Sequence, residues 1–200
     1  TEPPRYFQTE DGFLRFVGAP PGGVFAAPGT KSSVPESTAR GFVSAHQAAF
    51  GALGNSAAFT TERVQTEGNR GFVRFQQAYN GFPVFGAEMV VQTDAATGGI
   101  ACVYSVIMRD SSGFDNGTIP LSPAISADAA KAAAMNWVSG EYSIARASLA
   151  ASDPVRWVFD PLVVGEVGQV CVVWRMVVGA KQEKPVSDVV LVNAQDGSIA

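Results

Sequence analysis

The side chains that most often bind metals or act as nucleophiles are scarce in this sequence. It contains one histidine, His46, and two cysteines, Cys102 and Cys171. A single histidine excludes an HExxH zinc site and any two-histidine metal site within these residues. The cysteines lack metal-ligand spacing and lie in apolar runs, so we expect buried free thiols, with one long-range disulfide as the alternative. We therefore expect no catalytic residue, no metal and no cofactor.

The most interesting carboxylate is Glu88, in the run GAEMVV. Strand alternation would place Glu88 on one face with Val84 and its other even-numbered neighbours. A lone carboxylate without a nearby base is more often a paired structural charge, and Arg74 in the preceding strand is the expected partner. Glu88 is thus predicted to be structural.

A hairpin carries the most distinctive polar residues. Two strand-like runs, residues 71–79 and 82–93, flank Asn80-Gly81, a dipeptide that favours the type I′ turn. Gln76 and Gln77 lie in the first run together with Tyr79. They either hydrogen-bond a partner or cover a solvated strand face, and the pattern alone leaves both interpretations open.

The hairpin belongs to a longer pattern. Pro35 and Glu36 suit a helix start, and apolar residues together with His46 then recur at helical spacing as far as Leu53. His46 is accordingly expected in the core or at its boundary. A period of two from Phe59 to Met108 then predicts a four-stranded antiparallel meander.

The second half of the sequence also predicts a helix followed by a run of strands. Residues 110–123 are rich in Ser, Gly, Asp and Pro and predict a linker. Ser126 caps a second helix, for which the pattern predicts a buried face. That face consists of Ile125, Ala129, Ala133, Trp137 and Val138. Residues 144–149, 155–159, 169–178 and 186–193 predict strands, and Trp137, Trp157 and Trp174 are expected in the core.

Both halves also end a strand on a similar turn. Residues 92–98 read QTDAATG and residues 192–197 read VNAQDG. The fold class is therefore predicted to be α+β, with two tandem domains that each pack one helix on a curled antiparallel sheet.

The net charge and the hydropathy of the sequence limit the classes of partner that are expected. The net charge is −4 with no basic stripe, so nucleic acid is not an expected partner. No apolar run approaches the roughly 20 residues that span a bilayer, so a membrane is not expected either.

The hairpin resembles the fungalysin/thermolysin propeptide domain. The resemblance rests on VRFQQ at residues 73–77, on Tyr79, on Asn80-Gly81 and on PVFGAE at residues 83–88. The second half resembles a PepSY domain, in ISADAAKAAA from Ile125, VVWRMVV at 172–178 and VVLVNAQDGSIA at 189–200. The resemblance implies two cystatin-like halves: a propeptide-like domain at 1–110, a linker at 111–123 and a PepSY-like domain at 124–200.

The resemblance implies that the chain is not an enzyme but the prosegment of a secreted thermolysin-like zinc metalloprotease. It would act as an intramolecular chaperone and inhibitor, with the cognate catalytic domain as its partner. The alternative is a free-standing secreted or periplasmic protease inhibitor or binding module. In the family a further segment runs through the protease cleft, whereas this sequence ends at Ala200.

Two sets of residues are the candidate site. One set is expected to contact the protease or support the contacting surface: Phe75, Gln76, Gln77, Tyr79, Phe82, Val84, Phe85 and Glu88. The other leads toward the cleavage point: Asp196, Gly197, Ser198, Ile199 and Ala200.

Overall fold

A computed structural model describes residues 2–27, 34–54, 58–181 and 185–200. The chain forms two compact units, Thr1–Ser111 and Ser112–Ala200. Each unit packs a helix on one face of an antiparallel sheet, so the α+β fold class is confirmed.

Unit 1 contains one helix and six strands among its described residues. In chain order they are β1 (Arg5–Gln8), β2 (Leu14–Gly18), α1 (Pro35–His46), β3 (Ala58–Glu67), β4 (Arg70–Tyr79), β5 (Phe82–Asp94) and β6 (Gly99–Val106). Every neighbouring pair is antiparallel, and the order across the sheet is β1-β2-β6-β5-β4-β3. The predicted meander is confirmed as β3 to β6.

Helix α1 covers one face of this sheet. Ala39, Phe42 and Val43 pack into a buried cluster with residues of the sheet such as Phe75 and Val91. Burial of this apolar surface is the main force that holds the helix on the sheet.

The end of α1 differs from the prediction. The helix stops at His46 and continues only as a 3-10 turn, Gln47–Phe50, which leaves Leu53 53% exposed. His46 is exposed as well, and its ring lies 4.5 Å from that of the core residue Phe42, so of the two expected places it lies at the boundary of the core and not within it. Gly51 adopts a left-handed backbone and ends the 3-10 turn that follows α1.

Strand β1 was not predicted. All four of its residues are exposed, so the sequence RYFQ shows no alternation of buried and exposed positions. Its pairing with β2 therefore leaves no hydrophobic signal in the sequence.

Unit 2 contains two helices and four strands in its described part. They are α2 (Ser112–Asp115), α3 (Ala127–Glu141), β7 (Leu149–Ala151), β8 (Val155–Phe159), β9 (Cys171–Ala180) and β10 (Ser187–Asn193). Strands β7 and β8 pair in succession along one side of β9, and β10 pairs along the other. The short helix α2 lies within the predicted linker and buries Phe114.

The capping prediction for α3 is confirmed, since Ser126 accepts a hydrogen bond from the amide of Ala129 at 3.2 Å. The predicted buried face is only partly right. Ala130, Ala134 and Val138 are buried, whereas Trp137 is 40% exposed. Alanines occur on several sides of this helix, so hydrophobicity alone could not locate the face that packs.

The predicted strand at 144–149 was wrong, because only its last residue, Leu149, is in a strand. A 3-10 turn, Arg146–Ser148, precedes β7. Ser143 has a φ of +51°, and the Ser139 hydroxyl donates to the Ile144 carbonyl at 2.6 Å. These features turn the chain where an extended segment was expected.

Candidate functional site

The hairpin of β4 and β5 contains a large bulge. Asn80 and Gly81 have φ values of +47° and +82°, which confirms the type I′ turn. Beyond the turn, Ala78 pairs with Pro83 and Gln76 pairs with Glu88. Residues 84–87 therefore lie opposite the single residue Gln77, and the regular pairing of the two strands is interrupted there.

The side chain of Gln76 stabilises this bulge. Its amide nitrogen Nε2 donates to the carbonyl of Val84 at 2.7 Å and to that of Ala87 at 2.9 Å. Gly86 lies between them with a φ of +71°, a conformation that favours glycine. Gln76 thus supplies the hydrogen bonds that a regular ladder would have made.

The neighbouring Gln77 acts on a different strand. It is fully buried, and its side-chain amide makes two hydrogen bonds of 2.8 Å to the backbone of Met108. One donates to the Met108 carbonyl and the other accepts from the Met108 amide. This paired contact fixes the segment that follows β6 against β4.

The bulge also changes which hairpin side chains reach the surface. Phe75, Tyr79 and Val84 are buried together with Gln77. Phe82, Phe85 and Glu88 are part-exposed, as is Gln76. The extra residues reset the alternation, so Val84 is buried and does not share the accessible face of Glu88, which corrects the sequence-based assignment.

Glu88 is paired as predicted. Its carboxylate Oε2 lies 2.5 Å from Nη1 of Arg74, and the two side chains are 29% and 48% exposed. A half-exposed ion pair of this kind contributes little to stability. The pair does, however, place a positive and a negative group on the sheet face opposite α1.

Around Arg74, that face presents a row of large side chains. Successive cross-strand neighbours join Phe7 to Phe16, Tyr104, Val90 and Arg74, from β1 through β4. Phe7 is 69% exposed and Tyr104 is 39% exposed. We call this row, which carries aromatic residues at one end and arginine at the other, the outer row.

The second candidate segment, Asp196–Ala200, forms a turn and a short strand pairing. The Asp196 carboxylate Oδ1 accepts from the amide and the hydroxyl of Ser198, at 2.9 and 2.7 Å. The Ser198 hydroxyl first, and then its amide, lowers the pKa of Asp196. Ile199 then bridges to Val192 of β10 in antiparallel orientation.

Another polar cluster joins α1 to β3 and was missed by sequence reasoning. Thr61 donates to Glu36 at 2.6 Å, and Arg40 donates to Glu36 at 3.1 Å and to the Phe59 carbonyl at 3.2 Å. The Thr61 hydroxyl first, and then Arg40, lowers the pKa of Glu36. The spacing of Glu36 and Arg40 on one helix face was the available signal.

The two cysteines are free and half-buried. Burial raises the pKa of the Cys102 thiol. Burial, and secondarily the charge of Asp196, raises the pKa of Cys171 to about 11. Both thiols are thus mainly protonated at neutral pH, the form in which cysteine is a poor nucleophile.

Within residues 2–27, 34–54, 58–181 and 185–200, no three His, Cys, Asp or Glu side chains are grouped to hold a metal ion. Over the same residues, no helix has both the length and the apolar character needed to cross a bilayer.

Comparison with known proteins points to the hairpin region. The family model described as Fungalysin/Thermolysin Propeptide Motif (FTP) matches residues 58–96, which include β3, β4 and β5. Curated proteins give no significant match. Among solved structures, the chain is similar to the Bacillus megaterium YpeB C-terminal domain, with 12% identity and a TM-score of 0.42, over 93% of this chain and 69% of that one.

Proposed function

We propose that this chain is the propeptide of a secreted thermolysin-like zinc metalloprotease, in which it assists folding of the catalytic domain and inhibits it. The observation that carries the proposal is the FTP match over residues 58–96. That match covers the bulged hairpin and ends at residue 96, within the turn that follows β5. A propeptide role agrees with the scarcity of catalytic side chain types in the sequence.

We assign the recognition of the protease to the part-exposed residues of the hairpin. Phe82 precedes the bulge, Phe85 lies within it, and the neighbouring Gly86 is exposed. Aromatic residues and arginine are the side chains that most often dominate the energy of a protein interface. The outer row, with Tyr104 and Arg74, extends this surface across the sheet.

The buried members of the predicted set act as support. Phe75 belongs to the core of unit 1, Tyr79 and Val84 are buried as well, and Gln77 fixes the segment after β6. A rigid surface loses less conformational entropy on binding than a mobile one. It can also act as a template for a catalytic domain that folds slowly.

The assignment of the halves is part of the same proposal. Residues 1–110 would be the propeptide-motif domain and residues 124–200 a PepSY-like domain, joined by residues 111–123. Asp196–Ala200 would lead toward the cleavage point, and the chain would act outside the cytoplasm with its cognate catalytic domain as partner.

The proposal is tested by refolding. A thermolysin-like catalytic domain of the same source is denatured and then diluted into buffer with zinc and calcium, with or without the chain. We expect a higher yield of active protease after the chain is removed, and slower peptide hydrolysis while it is present. Unchanged yield and unchanged hydrolysis at micromolar chain would contradict the proposal.

A pair of variants locates the surface. Phe85→Ala truncates a part-exposed aromatic at the bulge and is expected to weaken inhibition by about 30-fold, the lower limit for an interface hot spot. Val167→Ala is the control, because Val167 is 98% exposed and lies in unit 2. Equal inhibition by the two variants would exclude the hairpin as the contact.

The coding sequence distinguishes the proposed propeptide from the alternative, a free-standing inhibitor or binding module. A reading frame that continues past the Ala200 codon into an HExxH motif identifies an attached catalytic domain. A stop codon there would instead favour a protein that acts on a separate protease.

A further inference from the structure

The free edge of β10 is already half occupied by the last three residues of the chain. The Asn193 amide donates to the Ser198 carbonyl at 2.8 Å, and the Ala200 amide donates to the Leu191 carbonyl at 3.0 Å. With the Val192–Ile199 bridge, these bonds define an antiparallel pairing with a fixed register. Residues 198–200 thus run along β10 toward its first residue, Ser187.

The other half of the same edge has the matching backbone geometry. Ala194 donates to Val172 and Ala180 donates to Val186, so the even-numbered residues of β10 pair with β9. In an antiparallel ladder the odd-numbered residues then direct their amides and carbonyls to the opposite side. On this side Leu191 and Asn193 bond to residues 198–200, whereas the edge-facing amide and carbonyl of Val189 have no strand partner among the described residues.

From this geometry we propose that the β10 edge from Ser187 to Val190 is a docking site for a polypeptide segment joined to Ala200. This segment would form an extended strand that runs antiparallel to β10. In the register set by Ala200 and Leu191, the first residue of that strand lies opposite Val190 and the second opposite Val189. The second residue exchanges two backbone hydrogen bonds with Val189. The inference does not depend on the proposed propeptide function.

Unit 1 shows the same arrangement in completed form. The turn after β5 closes with a hydrogen bond from the Gly98 amide to the Asp94 carbonyl, and the turn after β10 closes with one from Gly197 to Asn193. In unit 1 the strand that follows, β6, pairs with β5 as far as Glu88. An added strand on β10 would give unit 2 the same four-stranded order.

The side chains next to the edge indicate which residues suit the added strand. Val189 is 47% exposed on the face opposite α3, so an apolar or β-branched residue opposite it would gain contact area. Asp188 hydrogen-bonds Tyr142, yet its Oδ2 atom is buried without a hydrogen-bond partner among the described residues. A serine or threonine opposite Asp188 would supply a donor for that oxygen.

The test compares two extended forms of the 200-residue chain. One carries Thr-Val-Thr-Val after Ala200, which places valine opposite Val189 and threonine opposite Asp188. The control carries Gly-Ser-Gly-Ser, which has the same length and low strand propensity. Amide hydrogen exchange is measured by NMR, with the Val190 amide as the reference because it bonds to β9 in both forms.

We expect the Val189 amide to exchange at least tenfold more slowly in the Thr-Val-Thr-Val form, with the Val190 rate unchanged and the protein monomeric. Equal Val189 rates in the two forms would overturn the proposal. Protection that rises with protein concentration and accompanies a dimer would also overturn it, because the occupant would then be a second copy.

A substitution gives an independent check. Val189→Pro removes the amide that faces the edge and leaves the hydrogen bonds of Val190 to β9, a position where an edge strand tolerates proline. In the Thr-Val-Thr-Val form this change should restore fast exchange in the extension while the Val190 amide stays protected. An extension that remains protected in this variant would show that it docks somewhere other than the β10 edge.

Discussion

The two turns that follow β5 and β10 have one geometry, while the strands around them are held in different ways. Each closes through an amide-to-carbonyl hydrogen bond between residues four apart, at Gly98 and at Gly197. After the first turn β6, which is eight residues long, pairs with β5, and after the second Ser198–Ala200 pairs with β10 in the same antiparallel sense. A turn of this kind therefore sets the register of a hairpin, and in unit 1 further contacts hold the second strand.

The contact that holds the far end of β6 is buried Gln77, and removing it should give the largest effect. Gln77→Leu leaves the amide and carbonyl of Met108 buried without their partners. Unsatisfied buried groups of this kind cost about 2–4 kcal/mol in total, so the free energy of unfolding should fall by that amount. Urea denaturation of the variant measures it.

Gln65→Leu is the control for Gln77→Leu, because it makes the same change at an exposed position of β3. It should alter the free energy of unfolding by less than about 0.5 kcal/mol, as is usual for a surface position. Similar losses in the two variants would show that the Gln77–Met108 contact does not stabilise unit 1.

The bulge in β5 is the second difference from β10, which pairs without interruption. Gly86→Ala forces a Cβ atom into the left-handed region and should reduce the free energy of unfolding by about 1–2 kcal/mol. The matched control is Gly140→Ala within α3, where the space around the Cβ position is open. That change should raise stability by about 0.5–1 kcal/mol, since alanine favours a helix.

A stabilising effect of Gly86→Ala would mean that the residue is not held in its left-handed conformation and that β5 pairs with β4 without the bulge. Thermal unfolding of both alanine variants distinguishes the two outcomes by the sign of the change in Tm.

Sequence patterns predicted the structural features that depend on residues close together in the chain. Asn80-Gly81 indicated its turn, Ser126 indicated a helix cap, and the period of two located β3 to β6. The bulge was missed because alternation was extended through Gly86 without a break. A glycine within a strand, opposite two consecutive glutamines, was the signal available.

Other features could not be predicted from local pattern. Gln77 is fully buried by contacts with Met108, 31 residues away, and its residue type favours the surface. Residues 198–200 are too few to show strand periodicity. The sequence located the hairpin segment that carries the candidate residues. Only the packing shows which of them are buried, such as Tyr79, and which are part-exposed, such as Phe85.

The carboxylates of the two turns provide a pH test. Hydrogen bonds from Thr97, its amide first and then its hydroxyl, lower the pKa of Asp94, whereas the Ser198 hydroxyl is the largest cause of the lowered pKa of Asp196. Ser198→Ala should therefore raise the pKa of Asp196 more than Thr97→Ala raises that of Asp94. Carboxyl NMR titration measures both values.

The sign of the linked stability follows from these lowered pKa values. Both carboxylates stabilise the folded chain above the pKa of the unfolded state, and that stabilisation is lost as the pH falls through the folded-state values. Each variant should accordingly lose less stability between pH 5 and pH 2 than the parent chain does. An unchanged pH profile in both variants would show that the turn hydrogen bonds do not persist in solution.

The smallest effect is expected from Asp196→Asn and concerns the cysteines, whose environments differ in one respect. Burial raises the pKa of both thiols, but at Cys171 the charge of Asp196 in the turn after β10 adds to it. With a pKa of about 11 instead of 9.0, Cys171 has about 100-fold less thiolate at pH 8, so alkylation by iodoacetamide should be correspondingly slow. Asp196→Asn should speed alkylation of Cys171 modestly and leave Cys102 unchanged, whereas the control Asp153→Asn should affect neither. Rapid alkylation of Cys171 in the folded parent chain would show that the turn leaves this thiol accessible, and would remove the electrostatic link between the turn and β9.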